Sequence, residues 1–257
     1  MRPGSVVVGY LDPGTWSAVF GLSLRDLCLH DALVSHRVVR DGGKELRART
    51  AAGGIPAGRN QVVRDFLDTT DGEYLFMVDS DMGFAPDTVD RLVGSADTRR
   101  PVMGGLCFAH KRHPDGPGEF AAERFVVAPT LYEYVEVDGD LGFRPAMDWP
   151  RGEVVRVAGT GAACLLIHRE ALKKVRARRG DTWFDPVTHP TALKGGPRTF
   201  SEDLSFCVRL QEVGVPVHVD TSVRTCHDKG GAVLDQAAYD RDRALAQLER
   251  DLTSDVA

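Results

Sequence analysis

No apolar run in this chain approaches the roughly 18 residues that a bilayer-crossing helix needs, so the sequence reads as one without a membrane span. Only Arg2 precedes the first strand-like run, and no apolar leader core follows it, so no secretory signal is expected. None of the five cysteines (Cys28, Cys107, Cys164, Cys207, Cys226) forms a C-x-x-C pair with another. Most of them sit in apolar stretches, the setting of buried, reduced thiols in a cytoplasmic protein. Positive charge is not in excess. The formal net charge of −5 gives no electrostatic case for broad nucleic-acid binding. Repeats and low-complexity segments are absent as well. What is present is 257 residues, 42% of them hydrophobic and 27% charged, enough for one large domain with a substantial core and at most a small appendage.

Alternating apolar patterns predict the order of elements. Residues 5–10 (SVVVGY) suit a first strand, broken by Leu11-Asp12-Pro13-Gly14. Residues 16–29 suit a helix, 33–39 a second strand, and 41–57 a long loop rich in Gly, Arg and Ala. Residues 58–67 carry Val62, Val63, Phe66 and Leu67 on one helical face. A strand at 74–78 follows, then a helix through Val89 and Leu92 that opens near Pro86, and a strand at 102–108. Residues 110–123 and 180–200 read as loops, 125–137 and 153–157 as β ribbon, and 164–167 as a strand. Helices are expected at 169–178 and 201–213, a last strand at 215–219, and a charged amphipathic helix over 232–252. Alternation early and mixed strands late predict an α/β sandwich: a mostly parallel central sheet with a small antiparallel extension. Ligands of such sheets bind beyond the carboxyl ends of the strands.

The densest chemical signal is Tyr74-Leu75-Phe76-Met77-Val78-Asp79-Ser80-Asp81. In an extended backbone Asp79 and Asp81 project to the same side. Two carboxylates at a strand's carboxyl end repel unless a cation lies between them. Mg²⁺ and Mn²⁺ take oxygen ligands and complete their shells with water and phosphate oxygens. The plain alternative is that these acids cap backbone amides. Ser201-Glu202-Asp203 opens a helix and reads either as a cap with two acids in the first turn or as the place from which Asp203 serves as a general base. His227 follows the last strand, where imidazole suits a Mn²⁺-type ion. Arg59-Asn60 reads as a helix start or as a guanidinium placed for phosphate oxygens. Gly159-Thr160-Gly161 lacks the third glycine of a dinucleotide fingerprint, but its small residues allow close approach of a sugar or acceptor. Lys194-Gly195-Gly196 lacks the spacing of a P-loop, and no EF-hand loop is present.

Taken in order, VVVGYLDPG, AGRNQVVRDFL, YLFMVDSDMGF, GTGAACLLIHREAL, FSEDLSFCVRL and the late His227 resemble the GT-A glycosyltransferases, especially the family-2-like group, over roughly residues 5–229. The resemblance implies a GT-A type, Rossmann-like domain over 1–229 followed by a helical tail over 230–257. It implies Mn²⁺ or Mg²⁺ held by Asp81 and His227, with Asp79 near the ribose or the ion's water shell. A nucleotide-sugar donor would lie along Tyr10, Asp12, Asp41, Arg59, Asn60, Asp79, Gly159 and Gly161. Asp203 would be the base of an inverting transfer, with Glu202 beside it. The chain departs from that pattern at the second strand's end, where Arg40-Asp41-Gly42-Gly43 replaces the usual acid pair, and it lacks the Q-x-x-R-W signature of processive synthases. This favours transfer of a single sugar, UDP-linked by preference, to an acceptor hydroxyl on a glycan, a protein or a small molecule. A sugar nucleotidyltransferase of the pyrophosphorylase type is the first rival reading, and a non-catalytic carbohydrate-binding module the second. The tail helix would pack on the core or mediate a homodimer.

Overall fold

The computed structural model describes residues 3–38, 46–49, 54–112, 125–137, 140–188 and 199–254. Asp41, most of the expected loop at 110–123 and residues 189–198 of the expected loop at 180–200 lie outside the described residues.

The chain first lays down β1 (Val6–Asp12), α1 (Ala18–His30), β2 (Leu46–Arg49), α2 (Gly54–Thr69), β3 (Tyr74–Val78), β4 (Met82–Phe84) and α3 (Thr88–Ser95). It continues through β5 (Val102–Leu106), β6 (Phe108–Arg112), β7 (Phe125–Pro129), β8 (Leu131–Val137), β9 (Asp140–Pro145), β10 (Val154–Val157) and β11 (Gly159–Thr160). Then come β12 (Cys164–His168), α4 (Arg169–Arg179), α5 (Glu202–Glu212), β13 (Val217–Asp228), β14 (Val233–Leu234) and α6 (Gln236–Ser254). The main sheet has the order β10-β13-β5-β12-β3-β1-β2, with β4 and β14 added along β13. Strands β2, β1, β3, β5 and β13 run one way and β12 runs against both of its neighbours. Two small sheets, β11-β8-β9 and β6-β7, lie beside it. The expected mostly parallel sheet with an antiparallel extension is therefore present.

Period-two alternation explains why the central strands are nearly all apolar. Val7 and Leu11 of β1 pack with Val62, Val63 and Phe66 of α2 on one face. Val6, Val8 and Tyr10 pack with Phe20, Leu24 and Leu27 of α1 on the other. A strand covered on both faces has no polar side to show. A third cluster joins Phe108, Leu131 and Val219 to Leu234, Ala238 and Tyr239 and so ties the start of α6 to the ribbon strands.

Three expected elements need correction. Residues 33–39 do not form a strand. Asp31–Ser35 is a π-helical turn. The buried Asp31 carboxylate accepts the backbone N–H groups of Arg37 at 2.6 Å and Val38 at 3.0 Å, which turns the chain back so that only Val38 bridges to β1. The strand beside β1 is β2, inside the stretch expected to be loop, and α2 starts four residues earlier than its apolar face suggests. The last strand runs for 12 residues rather than five, because after an irregularity between Asp220 and Arg224 it leaves the main ladder to pair with β4 and β14.

Arg169 fastens two of the helices. Its buried guanidinium donates to the carbonyl oxygens of Phe66, Leu67, Thr70 and Gly72 at 2.7–3.1 Å and lies 4.2 Å over the Phe66 ring. Phe66 and Leu67 lie in the last turn of α2, whose carbonyls have no intrahelical donors, and Thr70 and Gly72 lie in the loop that follows. We expect Arg169→Met to leave them unsatisfied and to lower stability by on the order of 3 kcal/mol. Urea unfolding should show this as a lower midpoint with an unchanged slope.

Candidate active site at the carboxyl edge of the sheet

β3 ends at Val78, and the chain then turns rather than continuing extended. The N–H of Met82 closes the turn on the Asp79 carbonyl at 3.1 Å, and the N–H of Asp79 donates to the Ala163 carbonyl at 3.1 Å. The same-side geometry expected for Asp79 and Asp81 presupposes an extended backbone, so it does not hold. The two carboxylates instead meet separate partners on one edge.

Asp79 faces Arg59. The Arg59 Nη2 donates to both Asp79 oxygens, at 2.9 and 3.2 Å, while Nη1 donates to Asp203 Oδ1 and lies 3.8 Å from Glu202. Its side chain is only 3% exposed, whereas the three acids keep between 21% and 27% of theirs. Arg59 is thus neither the solvated helix-start residue nor an open phosphate ligand. It is a buried counter-charge that joins the end of β3 to the start of α5. Asn60, next along α2, accepts the N–H of Phe184 at 2.8 Å and donates to Asp185 at 2.6 Å, which clamps that loop beneath the cluster. Ser201 occupies the cap position of α5 without a side-chain capping bond, so Glu202 and Asp203 turn toward Arg59 from the first turn.

Asp81 faces His227. Pairing of β13 with β4 sets His227 opposite Met82, and Nε2 comes to 3.0 Å from Asp81 Oδ2. The other ring nitrogen, Nδ1, lies 3.2 Å from the Phe108 carbonyl, which can only accept, so Nδ1 carries the proton. In a neutral ring Nε2 then presents a lone pair to the carboxylate, and a cation is required between them or on the ring. Lys229 Nζ also donates to the same Asp81 oxygen, at 2.8 Å. Burial pushes the Asp81 pKa up, but the hydrogen bonds and charges of His227 and Lys229 outweigh it and hold the carboxyl at about 2.

The other expected residues separate into lining and packing roles. Asp12 Oδ1 accepts the N–H of Gly14 at 2.8 Å, and Oδ2 lies 3.4 Å from Arg47 Nε on β2. Tyr10 is buried at 3% exposure against Trp16 and Phe20, so it does not open onto the edge. The exposed ring of that group is Trp16 (51%), next to Ser17, whose N–H donates to the Ser80 carbonyl in the acid turn at 2.9 Å. Gly159 is a packing glycine, since a Cβ there would come 2.9 Å from Leu204. A Cβ on Gly161 would come 3.6 Å from Asp203 Oδ2, so that second carboxylate oxygen overlooks bare backbone. Sequence reasoning missed Trp16, Arg47 and Lys229. Only Lys229 carried a local signal, the glycine pair that follows it, both with positive φ (66° and 120°).

The donor set fits a divalent ion in part. One carboxylate and one imidazole with its tautomer fixed suit Mn²⁺ or Mg²⁺, leaving the remaining positions to water and phosphate oxygens. Among the described residues no group of three or more His, Cys, Asp or Glu side chains converges on one ion. Asp79, held by Arg59, is not a third ligand in this arrangement.

No protein-family model matches the chain, and no curated protein does. Solved structures do. The chain is similar to A197 from STIV, with a TM-score of 0.51, 16% identity and 91% of both chains covered. It is also similar to GalNAc-T7 solved with UDP, GalNAc and Mn²⁺, with a TM-score of 0.51 and 12% identity. That match covers 87% of this chain but 43% of the other, so the chain spans under half of that protein. The fold is GT-A-like.

The low Asp81 pKa has a signed consequence. Because the folded value lies below the ordinary aspartate value of about 3.9, the contribution of the ionised group is full above that value and is lost as pH falls through about 2. In chelator-treated protein, the stability gap between wild type and Asp81→Asn should stay constant above about pH 5 and shrink as the pH falls from about 4 toward 2. Urea melts at stepped pH measure this.

Proposed function

We propose that the protein is a metal-dependent glycosyltransferase of the family-2-like group. It would move one sugar from a nucleotide-diphosphate sugar to an acceptor hydroxyl, with UDP as the favoured nucleotide. The observation that carries this reading is the Asp81–His227 contact of 3.0 Å, with Nδ1 committed to the Phe108 carbonyl, at the carboxyl edge of a GT-A-like sheet. The solved neighbour that holds UDP, GalNAc and Mn²⁺ supports the donor class. Asp81 and His227 would hold Mn²⁺ or Mg²⁺, which when bound neutralises the diphosphate and stabilises it as a leaving group. Among the described residues no helix is long and apolar enough to cross a membrane. Cys107, Cys164 and Cys207 are buried thiols outside any disulfide, which fits the reducing conditions of a cytoplasmic setting.

The chain's own residues supply the acid–base chemistry. Asp203 Oδ1 accepts from Arg59 Nη1, which fixes the orientation of the carboxylate. Oδ2, over Gly161, is the atom that takes the proton from the acceptor hydroxyl. The hydroxyl oxygen bonds to the anomeric carbon as the bond from that carbon to the diphosphate oxygen breaks, and the electron pair leaves with the diphosphate. Attack from the opposite face inverts the configuration. Glu202 adds negative charge beside Asp203 and shares Arg59. Asp12 and the exposed Trp16 ring border the nucleoside end, where a base stacks on the indole.

A panel of nucleotide sugars with Mn²⁺ tests the reading, with released nucleoside diphosphate as the readout. Release of pyrophosphate from a nucleoside triphosphate and a sugar phosphate would identify a nucleotidyltransferase instead. Asp203→Asn should keep donor binding and slow transfer by about 10²- to 10⁴-fold, and an unchanged turnover number would remove Asp203 as the base. Asp81→Ala should abolish metal-dependent donor turnover while the circular dichroism spectrum stays that of the folded protein.

A further inference from the structure

We infer that Lys229 is a diphosphate-binding residue whose ammonium occupies the cation position on Asp81 until metal and donor displace it. The inference rests on the metal-site reading above and adds a residue to it. Three observations lead there. Lys229 Nζ and His227 Nε2 converge on one oxygen, Asp81 Oδ2, at 2.8 and 3.0 Å. A dication ligated by Asp81 and His227 would need that oxygen, so the ammonium and the ion compete for it. Lys229 also keeps 46% of its side chain exposed, where Asp81 keeps 34%, so the pair is a weakly held surface contact rather than a buried one.

The backbone leaves the lysine room to move. Gly230 and Gly231 both have positive φ, and neither would meet any atom on gaining a Cβ. The segment is pinned only around its ends, by Lys229 N–H on the Ala232 carbonyl at 2.9 Å and Gly230 N–H on Asp228 Oδ1 at 3.1 Å. A long lysine side chain, anchored at this glycine turn and rotating about its own four-carbon stem, keeps its charge within a few ångströms of the site when the ion displaces it. The pyrophosphoryl oxygens that complete an ion's shell are the nearest anions it would then meet, and a lysine binds them as a point charge. One ammonium thus has two places: on the carboxylate when the donor is absent, and on the diphosphate when the donor is present.

This predicts effects of opposite sign from one substitution. Lys229→Met removes a competitor from Asp81, so MnCl₂ alone should bind the donor-free variant about two- to tenfold more tightly than wild type. With Mn²⁺ saturating, UDP should bind the same variant at least about threefold more weakly, since a charge-assisted contact is lost. Titration calorimetry reads the first quantity and competition against a fluorescent nucleotide reads the second, and neither depends on turnover. Equal or weaker Mn²⁺ binding by Lys229→Met would overturn the competition, and undiminished UDP binding would overturn the diphosphate contact, with the metal site standing in both cases. Absence of Mn²⁺ binding in wild type and variant alike, with both folded, would overturn the metal site itself and this inference with it.

Discussion

One buried guanidinium holds the candidate site together. Arg59 has almost no contact with water, and a charge in that position persists only when opposite charge faces it. Its partners come from elements far apart in sequence, Asp79 after β3 and Asp203 at the start of α5, 144 residues from Arg59. Formation of the site is therefore coupled to docking of α2, β3 and α5. Nε has no hydrogen-bond partner among the described residues, and the Phe184 ring lies 5.6 Å from the guanidinium carbon. Asn60 holds Phe184 in place from the next position of the same helix. The cost of burying this cation is offset by acids that chemistry at the edge would need anyway, so the ion pairs orient the carboxylates as well as stabilise the fold.

The same accounting of charge distinguishes the two halves of the edge. Around Arg59, three carboxylates share one permanent cation that cannot leave without exposing a core position. Around Asp81, the facing groups are the His227 imidazole, bonded through Nδ1 to the Phe108 carbonyl, and the ammonium of an exposed lysine. The first half is a frame and the second is exchangeable. A sheet edge that must both hold its shape and admit a multiply charged ligand has reason to divide those tasks, because preorganised groups lose least on binding.

Much of this could be read from the residue pattern, and most of the parts that could not share a physical cause. The strand–turn–helix order around 74–92, the acidic start of α5 and the position of His227 follow from local periodicity and turn chemistry. The site residues they carry, Asp79, Asp81, Asp203 and His227, do reach one edge of the sheet. Most of the failures are non-local. The exception is the extended-chain argument for Asp79 and Asp81, which breaks at a turn that Met82 N–H closes on the Asp79 carbonyl. Arg59 looked like a solvent-facing helix start because its burial depends on α5. Tyr10 looked like a lining residue because nothing in SVVVGYLD tells which face α1 will cover. β2 was hidden in a Gly- and Arg-rich stretch whose strand character comes only from pairing with β1.

The position of Asp81 also constrains how this edge of the sheet is built. Asp81 sits in the three-residue connection between β3 and β4, and its backbone carbonyl accepts the N–H of Asp228 at 2.8 Å. β13 therefore delivers His227 and Lys229 to Asp81 from one continuous strand end, with the backbone register fixing both. A one-residue slip of β13 against β4 would send the imidazole to the opposite face and leave Asp81 with neither partner. The irregularity between Asp220 and Arg224 is what lets β13 hold one register with β5 and another with β4. The Asp81–His227 geometry is thus set by a backbone irregularity several residues upstream, and that irregularity constrains the pair as strictly as the two side chains themselves.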